Sequence, residues 1–126
     1  MSNEAGVLVG TDGLPIHWHV PYERTAVLLP DSRDLWDVMW EFRDSILGFA
    51  HSHPGQGIPS PSQTDLTTFA AIEAALGIRL HWWITSEDFI IDCVWKGPDK
   101  YSYSSVPSIE YDWVGELRRI SDYFGV

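Results

Sequence analysis

ILGFAHSHPGQGIPSPSQTDLTTFAAIEAALG, residues 46–77, is the stretch on which the fold turns. Ile46 to His51 is an apolar run of strand length. Ser62 to Leu76 carries Leu66, Phe69, Ile72 and Leu76 at helical spacing and stops at Gly77, a favoured helix terminator. Between them lies a stretch from Ser52 to Pro61, so rich in Gly, Pro and Ser that no regular element can hold it, which predicts a surface loop. A strand, one loop and an amphipathic helix together point to a sheet covered by helices.

The flanks extend that pattern. Gly6 to Gly10 reads as a short buried strand, and Thr11-Asp12-Gly13 turns it into a partner over Leu14 to Val20. Thr25 to Leu29 is expected to be a third strand. Leu35, Val38, Met39 and Phe42 then recur at helical spacing, with Asp31 or Ser32 as N-cap. Beyond Gly77, Ile78 to Thr85 and Asp88 to Lys96 read as strands around a Ser-Glu turn, and Tyr101 to Val106 as another. Trp113, Leu117, Ile120 and Phe124 mark a closing helix. The expected class is α/β, a largely mixed or antiparallel sheet between helices, in one domain over residues 1–126.

Composition narrows the partners. The 126 residues are 44% hydrophobic and 21% charged, globular values, and seven Trp, five Phe and five Tyr supply large surfaces for a core. A formal net charge of −10 repels the phosphate backbone that dominates nucleic-acid affinity, so nucleic acid is not an expected partner. No apolar run approaches the about twenty residues of a membrane span, and Met1-Ser2-Asn3-Glu4 lacks the basic flank of a signal peptide. Cys93, the sole cysteine, sits in the apolar run Phe89 to Trp95 and is expected to be a buried thiol. A cytoplasmic chain with no membrane partner is the expectation; the oligomeric state is left open.

The chemistry concentrates at His51-Ser52-His53-Pro54 and Ser62-Gln63-Thr64-Asp65. Side chains repeat every second position along a strand, so His51 and His53 can reach one ion together. Asp65, in the first turn of the next helix, can complete a two-His, one-Asp set. Three protein ligands leave a tetrahedral position for water, the pattern of a catalytic zinc, which lowers that water's pKa to about 7 in the best cases. Ser62-x-x-Asp65 is equally a variant of the helix capping box, with Asp65 favoured at the positive end of the helix.

HxHP followed at this distance by SxxD resembles the motif of the JAMM (MPN+) zinc metallopeptidases, sharply from Ile46 to Leu66. That family includes deubiquitinating subunits and small prokaryotic members that process ubiquitin-like proteins. The resemblance implies the MPN (JAB/cytidine-deaminase-like) fold and one zinc per chain on His51, His53 and Asp65. It implies that Ser62 helps hold the water and the tetrahedral oxyanion. It further implies a peptidase or isopeptidase acting by zinc-activated water on the C-terminal tail of a ubiquitin-like protein, which would add as a strand beside the site.

The resemblance also calls for a glutamate on the first strand to move the proton, as an amine leaves poorly unless protonated. The family spacing is E-x-x-G, whereas Asn3 stands three residues before Gly6 and Glu4 two. Glu4 is the candidate, on the expectation that a bulge re-aims it or one residue is deleted. So near the first residue it would be mobile unless tied down. Glu23 is the substitute. Two competing classes share the motif: a non-catalytic MPN scaffold or binding module, and a zinc hydrolase of a non-peptide amide.

Other polar residues read as structural. His17 and His19 form a second HxH, but no Asp follows at ligand spacing; a solvated strand face is expected, with Ile16, Trp18 and Val20 opposite. His81 reads as a strand histidine. Trp82, Trp83, Tyr101 and Tyr103 are expected in core packing rather than a partner groove.

Overall fold

The computed structural model describes residues 3–98 and 100–121. Six strands form one sheet: β1 (Gly6–Gly10), β2 (Pro15–His19), β3 (Ile46–Ser52), β4 (His81–Thr85), β5 (Ile90–Gly97) and β6 (Lys100–Ser105). Their spatial order is β2-β1-β3-β4-β5-β6. Neighbours are antiparallel except β3 and β4, which run parallel because α2 (Gln63–Leu76) carries the chain back between them. The sheet is therefore mixed, as the pattern of runs predicts. Phe124 lies outside the described residues.

Alternation along the central strands sorts the core into two faces. Leu8, Phe49, Trp82 and Ile84 meet Leu35 and Met39 of α1 (Arg33–Glu41) and Phe69 and Ile72 of α2. On the other face Ala5, Val7, Val9, Ala50 and Trp83 meet Trp113, Val114 and Leu117 around α3 (Val114–Ile120). Helices thus cover both faces. Cys93 is fully buried in the first cluster. No described helix is long and apolar enough to cross a membrane.

Caps fix the helices flanking the site. Ser32 accepts from the Leu35 N–H at 3.1 Å and starts α1, while Gly77, at φ +72°, ends α2 in the left-handed conformation that glycine adopts without strain.

The expected strand Thr25 to Leu29 is absent. Thr25 N–H donates to the Leu28 carbonyl in a local turn and no sheet edge receives the segment. Val27 is left 87% exposed. β propensity alone forms no strand without a neighbour to pair with. A second departure concerns the hairpin, where a register shift opposite Leu8 and Val9 turns Ile16 toward the first cluster while Trp18 packs with the second.

Candidate metal centre

Strand β3 delivers the first histidine. Its ladder with β4 continues past Ser52, because His53 N–H donates to the Thr85 carbonyl at 2.8 Å. His51 and His53 therefore keep strand geometry and one facing, with their Nε2 atoms 2.9 Å apart. The loop that follows is tied to the β4–β5 turn: Gly57 N–H donates to Asp88 and Glu87 N–H to the Gly55 carbonyl, at 2.8 and 2.9 Å. It returns the chain to the start of α2, where Ser62 Oγ accepts from Asp65 N–H at 3.0 Å and Asp65 Oδ2 accepts from Ser62 N–H at 2.9 Å.

The capping reading of Asp65 holds, and the cap leaves its carboxylate beside the histidines. While closing the capping box, its carboxylate also sets Oδ1 3.3 Å from His51 Nε2 and Oδ2 3.1 Å from His53 Nε2. The box orients the carboxylate toward the histidines instead of competing with them.

Glu4 joins them from the segment just before β1. Gly6 lies opposite His51, so extending the register places Glu4 opposite His53. Glu4, Gly6 and Leu8 share one face by simple alternation, the face of His51. No bulge re-aims Glu4, which corrects that part of the sequence expectation: the register is unbroken from Gly6 to Val9, and two residues before Gly6 is the right parity. A Cβ on Gly6 would come within 2.3 Å of the Phe49 ring, so only glycine fits between Glu4 and the core. Ligand atoms of Glu4, His51 and His53 lie within 4.8 Å of one another. Glu23 is exposed in the loop and takes no place around the cluster.

The donor set suits a cation. Ligand bonds of about 2.0–2.1 Å at tetrahedral angles put donor atoms about 3.3 Å apart; here the two Nε2 atoms stand 2.9 Å apart, with Asp65 Oδ1 3.3 Å from His51 and Oδ2 3.1 Å from His53. Hydrogen bonds alone leave the contact between the two imidazoles frustrated. If both histidines donate from Nε2 to Asp65, two N–H groups collide across 2.9 Å; if one accepts there, its lone pair faces the carboxylate. A cation between the two imidazoles and the carboxylate relieves that conflict.

Protonation states fit as well. Burial pushes the His51 imidazole below its ordinary value, against the hydrogen bond it gives to Asp65, so it is neutral. Burial acts to raise the Asp65 carboxyl, but hydrogen bonds with His51 and His53 and the Ser62 N–H outweigh it and hold it well below the usual carboxylate range. Glu4 moves the other way: burial pushes it up to about 7, reinforced by Asp65 and opposed by His53.

The family model described as prokaryotic homologs of the JAB domain matches residues 3–96. The chain belongs to that family. The match spans Glu4, the HxHP turn and SxxD, strands β1 to β4 and β5 as far as Lys96. No curated protein matches this JAB chain.

Two residues of the JAB site escape sequence reading. His19 is buried rather than solvated: its Nε2 donates to the Pro30 carbonyl at 2.6 Å and its ring meets the edge of Phe49. Its register opposite Gly6 puts it on the Glu4 face, a fact that pairing reveals and spacing alone does not. Arg24, from the loop, holds the backbone at Glu4. His17 stays half-buried on β2, and His81 pairs with Asp92 at 2.9 Å, remote from the cluster on β4 and β5.

Proposed function

We propose that this JAB domain is a zinc-dependent peptidase or isopeptidase, with His51, His53 and Asp65 as the ligands of one zinc. The convergence of these three side chains, with Glu4 facing the same point, carries the reading. Two imidazoles and a carboxylate suit zinc better than the all-oxygen preference of magnesium or calcium.

When bound, zinc would polarise the amide carbonyl and lower the pKa of water at the site. The chain's own residues do the rest. Glu4 takes a proton from that water and returns it to the departing amine, and a carboxyl pushed up to about 7 by burial suits both directions near neutral pH. Ser62 uses a lone pair to accept from Asp65 N–H, which leaves its O–H to donate to the oxyanion. No covalent intermediate with the chain is involved.

The proposed substrate is the C-terminal tail of a ubiquitin-like protein, and the proposed setting is the cytoplasm, with residues 1–126 as one domain. The buried free thiol of Cys93 supports the setting. Nucleic acid is not a partner in this reading, given the net charge of −10.

Elemental mass spectrometry of protein purified without chelator, beside cleavage of ubiquitin-like fusions, tests the reading. Expected are about one zinc per chain, its loss in His51→Ala and Asp65→Ala, and a Glu4→Gln variant that keeps zinc but loses turnover. Zinc binding without turnover on any amide substrate would favour the MPN scaffold instead. Full activity in Glu4→Gln would remove Glu4 from the mechanism.

A further inference from the structure

We propose that the cavity leading away from the metal centre seats a large apolar side chain of the substrate, leucine- to phenylalanine-sized, beside the amide that is cut. This rests on the peptidase reading above. The cavity measures about 520 Å³ and is continuous with Glu4, His51, His53 and Asp65. That volume falls within the range of sites that engulf small ligands.

Away from the metal centre its lining is mostly hydrocarbon. Leu35 and Met39 of α1, Phe69 and Ile72 of α2, Phe49 of β3 and Trp82 of β4 line it. On the rim, Val27 and Leu28 of the loop before α1 are 87% and 51% exposed. Two neighbouring apolar side chains held out to water beside an apolar cavity are a surface that an occupant would cover. A substrate ending in glycines alone would leave the volume unfilled.

Charge adds a second requirement. The titratable groups lining the cavity are Glu4, Asp31, Asp65 and the three histidines 19, 51 and 53, and among the described lining residues none is Lys or Arg. Away from the metal itself, a free carboxylate in the cavity would meet Asp31 and find no Lys or Arg, whereas release of single C-terminal residues calls for such a partner. The occupant is therefore an uncharged apolar side chain within a chain that continues past the site.

Binding can be read without zinc or turnover. Metal-free protein would be titrated with acetylated, amidated heptapeptides differing only in a central Gly, Leu, Phe or Asp, followed by backbone amide NMR. Leu and Phe peptides are expected to shift the Leu29, Thr68 and Phe69 signals and to bind about tenfold or more tighter than the Gly peptide; the Asp peptide should leave them unmoved. Thr68→Trp, at a half-buried position on the α2 wall, fills the cavity and should abolish the response. Equal binding of Gly and Phe, or shifts confined to other surfaces, would overturn the assignment. Quenched versions of the same peptides then go to zinc-loaded protein. Cleavage that follows the binding order supports the assignment, and cleavage indifferent to the central residue overturns it. Apolar-selective binding with no cleavage of any peptide would sink the peptidase reading and leave the cavity assignment standing.

Discussion

Arg24 Nη1 donates to the carbonyl of Glu4 at 3.3 Å and to that of Ile120 at 3.2 Å, bracing the segment before β1 against the end of α3. The bracing is multiple. Glu4 N–H donates to the Thr25 carbonyl, Asn3 N–H to the Ser121 carbonyl, and Ala5 N–H to Ser52 Oγ, at 2.8, 3.1 and 2.9 Å. A residue fourth in the sequence is thus held from the loop, from β3 and from α3. Arg24 is a positioning residue, since it holds Glu4 through its backbone. Arg24→Ala should lower kcat on the order of ten- to a hundredfold, the usual effect of a small misplacement, with KM and zinc content nearly unchanged. Arg24→Lys should recover part of it. A fall in zinc content or a change confined to KM would count against this role.

What the sequence makes legible here is local. HxHP and SxxD each place their donors through one strand end or one helix turn, so His51, His53 and Asp65 can be named without a structure. Glu4 is legible by parity, since two residues before Gly6 is the same face, but counting from a family spacing points to the wrong neighbour. Arg24 and His19 act through contacts 96 and 11 residues away in the chain, and nothing near them in sequence marks those partners. Thr25 to Leu29 misleads for the converse reason: its residues favour a strand, and the sheet offers no edge there.

Zinc should stabilise the fold through the same three donors. An ion that binds only the native state at a hundredfold excess over Kd contributes about 2.7 kcal/mol, several degrees of Tm in a chain of this size. Thermal melts with and without zinc should show this shift in wild type and none in Asp65→Ala. Ser62→Ala loses the cap, about 1 kcal/mol, yet should still respond to zinc. An equal zinc shift in Asp65→Ala would place the ion elsewhere.

His19 should make stability depend on pH in the acid range. Burial lowers its folded pKa, outweighing the hydrogen bond to Pro30, so below the ordinary value of 6.5 the unfolded chain binds a proton that the native chain resists. Stability from this group is therefore present above pH 6.5 and lost as pH falls toward the depressed folded value. His51 has the same sign, so the comparison must be differential. His19→Gln should flatten the dependence of Tm on pH below 6.5 relative to wild type. Parallel curves for the two proteins would mean that His19 does not titrate on unfolding.

Cys93 should be inert in the folded chain. Burial pushes its thiol up to about 12, with Asp92 and Asp65 adding to the effect, and the thiolate is the reactive form. Ellman's reagent should label it only at the rate of unfolding, and quickly in denaturant. Rapid labelling at pH 8 under native conditions would show that the β5 face opens far more often than its packing predicts.

Glu73 anchors the helix that carries Asp65, and its removal should cost more than any surface charge. The carboxylate is fully buried, on the same side of α2 as Phe69, Ile72 and Leu76. Four donors converge on it: Arg79 at 3.2 Å, Leu80 N–H at 2.9 Å, Trp82 Nε1 at 3.1 Å and the Tyr101 hydroxyl. Burial raises the Tyr101 pKa, and the bond to Glu73 raises it further, so the phenol keeps its proton to donate. Glu73→Ala leaves an indole and a backbone N–H unpaired inside the core and takes the acceptor from the half-buried Tyr101 phenol, which should destabilise by about 3–5 kcal/mol. Arg79 is 55% exposed, so Arg79→Ala removes a half-solvated partner and should cost under about 1 kcal/mol. Denaturant midpoints measure both. The two losses should differ severalfold if the buried donors, rather than the ion pair, hold α2 against β4 and β6; similar losses would mean that the charge pair dominates.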